Sequence, residues 1–228
     1  MNEKVWLAAD YHLPITYSCR MPVSSSHSAQ CLPVPGPATV RLALIRTAIE
    51  LFGITQTRDL LFPIIQKSEV AIRPPQKVAI SSHTLRLYKV NNAPKLQDSI
   101  GYQEFAHAEG VLTIYIAIPP EFQAVFTELL CAVGYWGQGN SLAVCRQLSL
   151  AQPLPQEIIQ PLSTLPTQPI RHYVTAFLNE WTHTTASWTA VTENESLACF
   201  TPSLFVLPLE ISERCSIGLR FAFCSLEV

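Results

Sequence analysis

Charge is scarce in this chain. Asp, Glu, Lys and Arg make up only 14% of its 228 residues, against roughly a quarter in an average soluble protein, while the hydrophobic share of 48% is ordinary. With a mean hydropathy of +0.21, the outside must be covered by Ser, Thr, Gln and Pro or by partners. Long apolar runs are also missing: none approaches the ~18 residues that span a bilayer, so no membrane segment is expected. The start, Met1-Asn2-Glu3-Lys4, shows neither the apolar stretch of a signal peptide nor a lipidation signature. Among the seven cysteines there is no C-x-x-C pair and no histidine at metal-ligand spacing, which argues against the common zinc frameworks. Their odd number reads as reduced, mostly buried thiols of a cytoplasmic protein.

Signatures of nucleotide and acyl chemistry are absent as well. Neither G-x-x-x-x-G-K-[ST] nor G-x-G-x-x-G after a strand occurs, and there is no G-x-S-x-G or protease-type cysteine. No metal, cofactor or catalytic residue is therefore assigned. His12, His27, His83, His107, His172 and His183 are scattered. A metal-independent ribonuclease nevertheless needs only a base, an acid and a cation near the phosphate, and Tyr17, His27, Arg41 or His83 could supply one of these.

What is present begins with a charge asymmetry. Residues 1–100 hold 11 Lys+Arg against 6 Asp+Glu, and residues 101–228 hold 4 against 11, so a polyanion should dock on the N-terminal half.

Periodicity gives an order of elements. Residues 4–17 alternate around a polar interruption at 10–12 and predict a strand with a bulge. Residues 20–36 form a long Ser- and Pro-rich loop. Pro37 then opens a helix whose apolar residues Val40, Ala43, Leu44, Ala48, Leu51 and Phe52 recur until Gly53. A further turn or two of helix over 58–66 precedes a strand over 69–73, which Pro74-Pro75 ends. Residues 74–108 read as a projecting hairpin turning at 91–94, followed by a strand over 111–118 and a helix over 122–133. A last strand over 141–150 completes a βαββαβ order, which predicts an α+β, ferredoxin-like (RRM-like) core over 1–150 with a basic hairpin insertion. Five prolines in 151–169 mark a connector. Beyond it, a C-terminal extension to residue 228 is expected to hold a helix over 171–181 and short strands near Ser187, Leu204 and Ile217.

Two features suit RNA. In Gly134-Tyr135-Trp136-Gly137-Gln138-Gly139-Asn140 the glycines would let backbone approach a phosphate, Tyr135 and Trp136 could stack on bases, and Gln138 and Asn140 offer amides to base edges. The alternative is a glycine cap on the preceding helix with both rings in the core. In the hairpin, Arg73, Lys77, Arg86, Lys89 and Lys95 fall within 23 residues free of Asp and Glu, which reads either as a phosphate-tracking arm or as a solvated charged face.

These residues carry a family resemblance. The proline-rich helix entry Pro35-Gly36-Pro37-Ala38-Thr39-Val40-Arg41 and the loop Tyr135-Trp136-Gly137-Gln138 before Ser141-Leu142 resemble CRISPR-associated family 5 proteins of the RAMP superfamily. Their loop reads Tyr-(aromatic or Leu)-Gly-Arg, so Gln138 stands where Arg is usual. The resemblance covers 1–150 and implies a non-catalytic subunit of a type I effector (Cascade) that grips the repeat-derived 5′ handle of the crRNA. It further implies a hairpin thumb, contacts with the Cascade backbone and large subunits, and target DNA or a transposition-recruiting protein as further partners. The RNA-binding residues expected on this reading are Arg20, Arg41, Arg73, Lys77, Arg86, Lys89, Tyr135, Trp136, Gln138 and Asn140. A repeat-cleaving endoribonuclease on the same fold, or a ligand- or protein-binding module without RNA, are the alternatives. The sibling repeat endonuclease fits less well, since its C-terminal glycine-rich signature is missing and 211–228 holds only Gly218.

Overall fold

The computed structural model describes residues 4–22, 28–90, 96–165, 173–181, 187–192 and 200–226, with backbone alone for 28, 87–90 and 96–99. It is a mixed α+β chain with several antiparallel sheets and few helices.

Strand β1 (Val5–His12) buries Leu7, Ala9 and Tyr11 on one face. It stops at His12, short of the expected residue 17, because Pro14 has no N–H to offer a ladder. The expected bulge is present as a slip in register: Asp10 pairs with Gln147 but Tyr11 with Cys145, leaving Arg146 unopposed. The segment read as a loop over 20–36 contains a short antiparallel ladder of β2 (Cys19–Arg20) with β4 (Cys31–Leu32), and between them β3 (Ser28–Ala29).

Helix α1 (Pro37–Gln56) starts at its first-turn proline and turns Val40, Ala43, Leu44, Ile45 and Ala48 inward. Gly53 breaks it with φ +79, as the sequence implied, and the chain then resumes a helical path through a π-helical turn at Thr57–Leu61 into α2 (Phe62–Lys67). Strand β5 (Glu69–Arg73) follows, then the long pair β6 (Lys77–Val90) and β7 (Leu96–Glu109), then β8 (Val111–Ile118), α3 (Gln123–Ala132) and β9 (Val144–Leu150).

Strands β5, β8, β1 and β9 form a four-stranded sheet in that order, every neighbour antiparallel. Both α1 and α3 cover the same face. Leu44 and Ala48, with Phe126, Leu129 and Leu130, join Leu7, Tyr11, Ile114 and Ile116 in the main buried cluster. Each such large side chain contributes about 1.5–3 kcal/mol of burial. On the opposite face Ala8, Ala71 and Tyr115 form a smaller cluster, with Trp6 and Ile158 packed against it.

The C-terminal part differs from expectation. Residues 174–181, predicted helical, are strand β11 (Val174–Trp181). Its burial alternates through Ala176 and Leu178, and its eight residues pair along their full length with β12 (Phe200–Leu207), a partner distant in sequence. Near Ser187 the chain forms a short helix, α4 (Trp188–Thr192), in place of a strand, with the Ser187 hydroxyl accepting from the Ala190 N–H. Strand β10 (Gln160–Pro161) also lies on β12, while β13 (Leu209–Cys215) and β14 (Gly218–Phe223) form a hairpin whose second strand pairs with β6. The second sheet is thus β13-β14-β6-β7-β3. Among the described residues no helix is long and apolar enough to cross a membrane, and no group of three or more His, Cys, Asp or Glu could hold a metal ion.

Candidate nucleic-acid interface

After α3 the chain makes a closed loop. The Gly134 carbonyl accepts from the Ala143 N–H (2.9 Å), the Ser141 carbonyl from the Trp136 N–H (3.2 Å), and the Gln138 carbonyl from the Ser141 N–H (2.9 Å). Gly137 is required at its tip: φ is +78, and a Cβ there would sit 3.0 Å from the Ser18 carbonyl oxygen. Gly134 has no positive φ, so it is not a left-handed cap of α3. Ser141 ties the loop to the segment after β1, its hydroxyl accepting from the Ser18 N–H at 3.0 Å.

The two aromatics of this loop have opposite surroundings. Trp136 is only 1% exposed and lies edge-on to Tyr11, with centroids 4.9 Å apart. It is a core residue, and base stacking by this ring is corrected accordingly: an indole with no open face cannot receive a base. Tyr135 is half-buried, and the Arg46 guanidinium lies over its ring, 3.3 Å from the centroid. Gln138 and Asn140 are exposed.

The hairpin follows the sequence reading closely, β6 and β7 pairing from Lys77 with Glu109 to Val90 with Leu96; its turn lies outside the described residues. At its base Val78, Ile80, Ala106 and Ala108 are buried. Farther out, Arg86 is exposed opposite Ile100, and Thr84 opposite Tyr102, whose exposures of 66% and 60% for Ile100 and Tyr102 make one solvent-facing patch. Lys77, nine positions from Arg86, belongs to the other face. There its ammonium meets Glu109 at 3.0 Å, beside a groove of about 370 Å³ also lined by His107 and Arg220.

Loop and hairpin meet. The Gln103 side-chain amide of β7 donates to the Gln138 side-chain carbonyl at 3.3 Å. Arg20 is exposed on β2, two residues beyond Ser18, where β2 pairs with β4. The structure therefore brings Gln138 against Gln103, on the hairpin face that also carries His83, while Tyr135 is turned to Arg46 of α1 and Arg20 and Asn140 are exposed. Arg46 and Gln103 were not apparent from sequence, although Gln103 lies within the predicted returning strand; Tyr102, its neighbour, faces the opposite side with Ile100 and Arg86.

Others lie elsewhere. Arg41 is 4% exposed, paired with Glu180 (3.2 Å) and donating to the Ser68 carbonyl (2.8 Å). Burial pulls its pKa down and Glu180 opposes the shift. Its assignment as an RNA contact is corrected to an interior ion pair linking α1 to β11, because a desolvated guanidinium needs its partners. Arg73 sits on the sheet's outer face with Glu157 at 3.2 Å. The Lys89 side chain lies outside the described residues.

An α+β chain of several antiparallel sheets, with a glycine-tipped loop braced against a long hairpin, is the class that this geometry defines. Over 115 residues the chain is a homologue of the CRISPR-associated protein Cas5 of Archaeoglobus fulgidus, at 29% identity, covering 49% of this chain and 50% of that protein. The chain thus spans about half the length of the curated relative it matches. Two solved structures share the fold: a CRISPR protein from Archaeoglobus fulgidus (TM-score 0.50, 12% identity, 96% of this chain and 92% of that one) and a chain of the type III-B Cmr-beta complex bound to cognate target RNA (TM-score 0.52, 6% identity, 65% and 61%). No protein-family model matches the chain.

Proposed function

We propose that this chain is a non-catalytic guide-RNA-binding subunit of a type I CRISPR effector, gripping the repeat-derived 5′ handle of the crRNA beside the Cascade backbone and large subunits. The sheet order β5-β8-β1-β9, with α1 and α3 on one face, supports a ferredoxin-like platform for this role. The observation that carries the reading is the Gln103–Gln138 contact. It braces a loop able to approach phosphate against an arm whose opposite face bears Arg86, Tyr102 and Ile100, charge with stackable surface as single-stranded RNA requires. The test is affinity for labelled repeat RNA, measured on the chain purified with its neighbouring subunits. Binding no tighter than to an unrelated RNA of equal length would reject the handle-specific role.

A second reading is favoured by one contact. His83 Nε2 lies 2.9 Å from the Ser81 hydroxyl on the exposed hairpin, an acid–base group beside candidate RNA contacts. Sequence-specific cleavage of repeat RNA in the presence of EDTA, lost in His83→Ala, would establish a metal-independent endoribonuclease in place of the non-catalytic subunit.

A further inference from the structure

The outer face of the four-stranded sheet carries the ingredients of a single-strand platform: Trp6 on β1, Tyr115 on β8 and Arg73 on β5. The chain's own connector covers it. Ile158 packs on the Ala8, Ala71 and Tyr115 cluster with Trp6 beside it. The Ile159 N–H donates to the Ile72 carbonyl at 2.9 Å on the edge strand β5, and the Ala151 N–H to the Trp6 carbonyl at 3.3 Å. The Leu226 N–H in turn donates to the Gln156 carbonyl at 2.8 Å, holding the connector from outside. Beneath it, Arg73 lies between the Phe223 ring, 5.4 Å from the centroid, and the Glu157 carboxylate, 3.2 Å away. Both members of the ion pair are partly exposed, at 32% and 25%. The pair is therefore neither fully desolvated nor simply superficial.

We propose that Glu157 is a built-in competitor for the RNA phosphate that Arg73 would otherwise take, so that residues 151–159 close the sheet's outer face to RNA. A carboxylate offers a guanidinium the same charge-assisted acceptors as a phosphate does. Occupying Arg73 in cis removes one cation from the RNA footprint and directs the strand to the loop and hairpin. The inference rests on the RNA-binding reading above.

The experiment is a two-residue cycle. Wild type, Glu157→Gln, Arg73→Ala and the double variant are titrated with labelled single-stranded repeat RNA across a salt series, with thermal melts on each to confirm folding. The expected result is that Glu157→Gln tightens binding about three- to fivefold, the scale of one partly exposed ion pair, and steepens the log–log salt slope by about 0.7, one added phosphate contact. In the double variant the gain disappears. Unchanged or weaker binding by Glu157→Gln overturns the proposal, and so does a gain that persists without Arg73, which would reflect net charge alone. Wild type and all variants failing to bind would instead reject the RNA-binding reading, and this inference with it.

Discussion

The Trp136 indole and the Tyr11 ring meet edge to face at 87°, both nearly devoid of exposure. The contact fastens the glycine loop to the bulged end of β1. Trp136→Ala should therefore cost about 3–5 kcal/mol of stability. Chemical denaturation measures that loss, and RNA affinity of the folded fraction should remain within about twofold of wild type, since a core ring presents nothing to a base.

Gly137→Ala tests the loop backbone. An alanine at φ +78 incurs the left-handed penalty of about 1–2 kcal/mol, and its Cβ approaches the Ser18 carbonyl at 3.0 Å. A melting temperature several degrees below wild type is expected. Gly139 has no positive φ, and a Cβ added to it would meet nothing within 4 Å, so it should accept alanine with a much smaller change.

Arg41→Ala should lower stability by about 2–3 kcal/mol, less than for a fully buried pair because Glu180 is 34% exposed. Arg41→Met, which keeps the packing stem, should lose less. Neither should alter the salt slope of RNA binding, which would change only if Arg41 reached a phosphate.

For the arm, replacing Arg20 and Arg86 together by Ala should reduce the magnitude of the log–log salt slope by about 1.4, two single-strand phosphate contacts, with little change in stability. Lys77→Ala should have a smaller effect than either, because its ammonium is already paired with Glu109 at 3.0 Å.

Burial pushes the Cys31 thiol up from an ordinary value of 9 to about 11, and raises Cys19 and Tyr17 well above their usual values by the same cause. For Cys31, between pH 9 and pH 11 the folded state holds a proton that the unfolded chain has released. Stability is then full below pH 9, declines as pH rises through this window by up to ~1.4 kcal/mol per pH unit per group, and levels off for this thiol above pH 11. Urea denaturation at pH 8, 9 and 10 measures the decline, and Cys31→Ala should make it shallower.

Local punctuation accounts for what was legible in the sequence. Strands at 69–73 and 111–118 coincide with β5 and β8, and Pro37 opens α1, because alternation, paired prolines and a first-turn proline act on the backbone where they stand. Strand β11 was not legible as a strand, since its partner β12 lies beyond a stretch that single-sequence periodicity cannot bridge. The site was legible only in part. Tyr135 and Trp136 are neighbours of similar chemistry, and what separates them is Tyr11 on one side and Arg46 on the other, both remote in sequence. Arg41 could have been placed: with Leu44, Ile45 and Ala48 it occupies the inward stripe of α1, where a cation signals a buried partner.

Strand β14 pairs Gly218 with Ser81 and Ala222 with Lys77, so the root of the hairpin is completed by residues some 140 positions further along the chain. During synthesis the hairpin has no flanking strand on that side until residues 218–222 have left the ribosome, and its open backbone edge stays available for wrong pairings until then. Maturation of the arm is thereby placed late in the order of assembly, and chains cut short before residue 218 cannot display it correctly rooted.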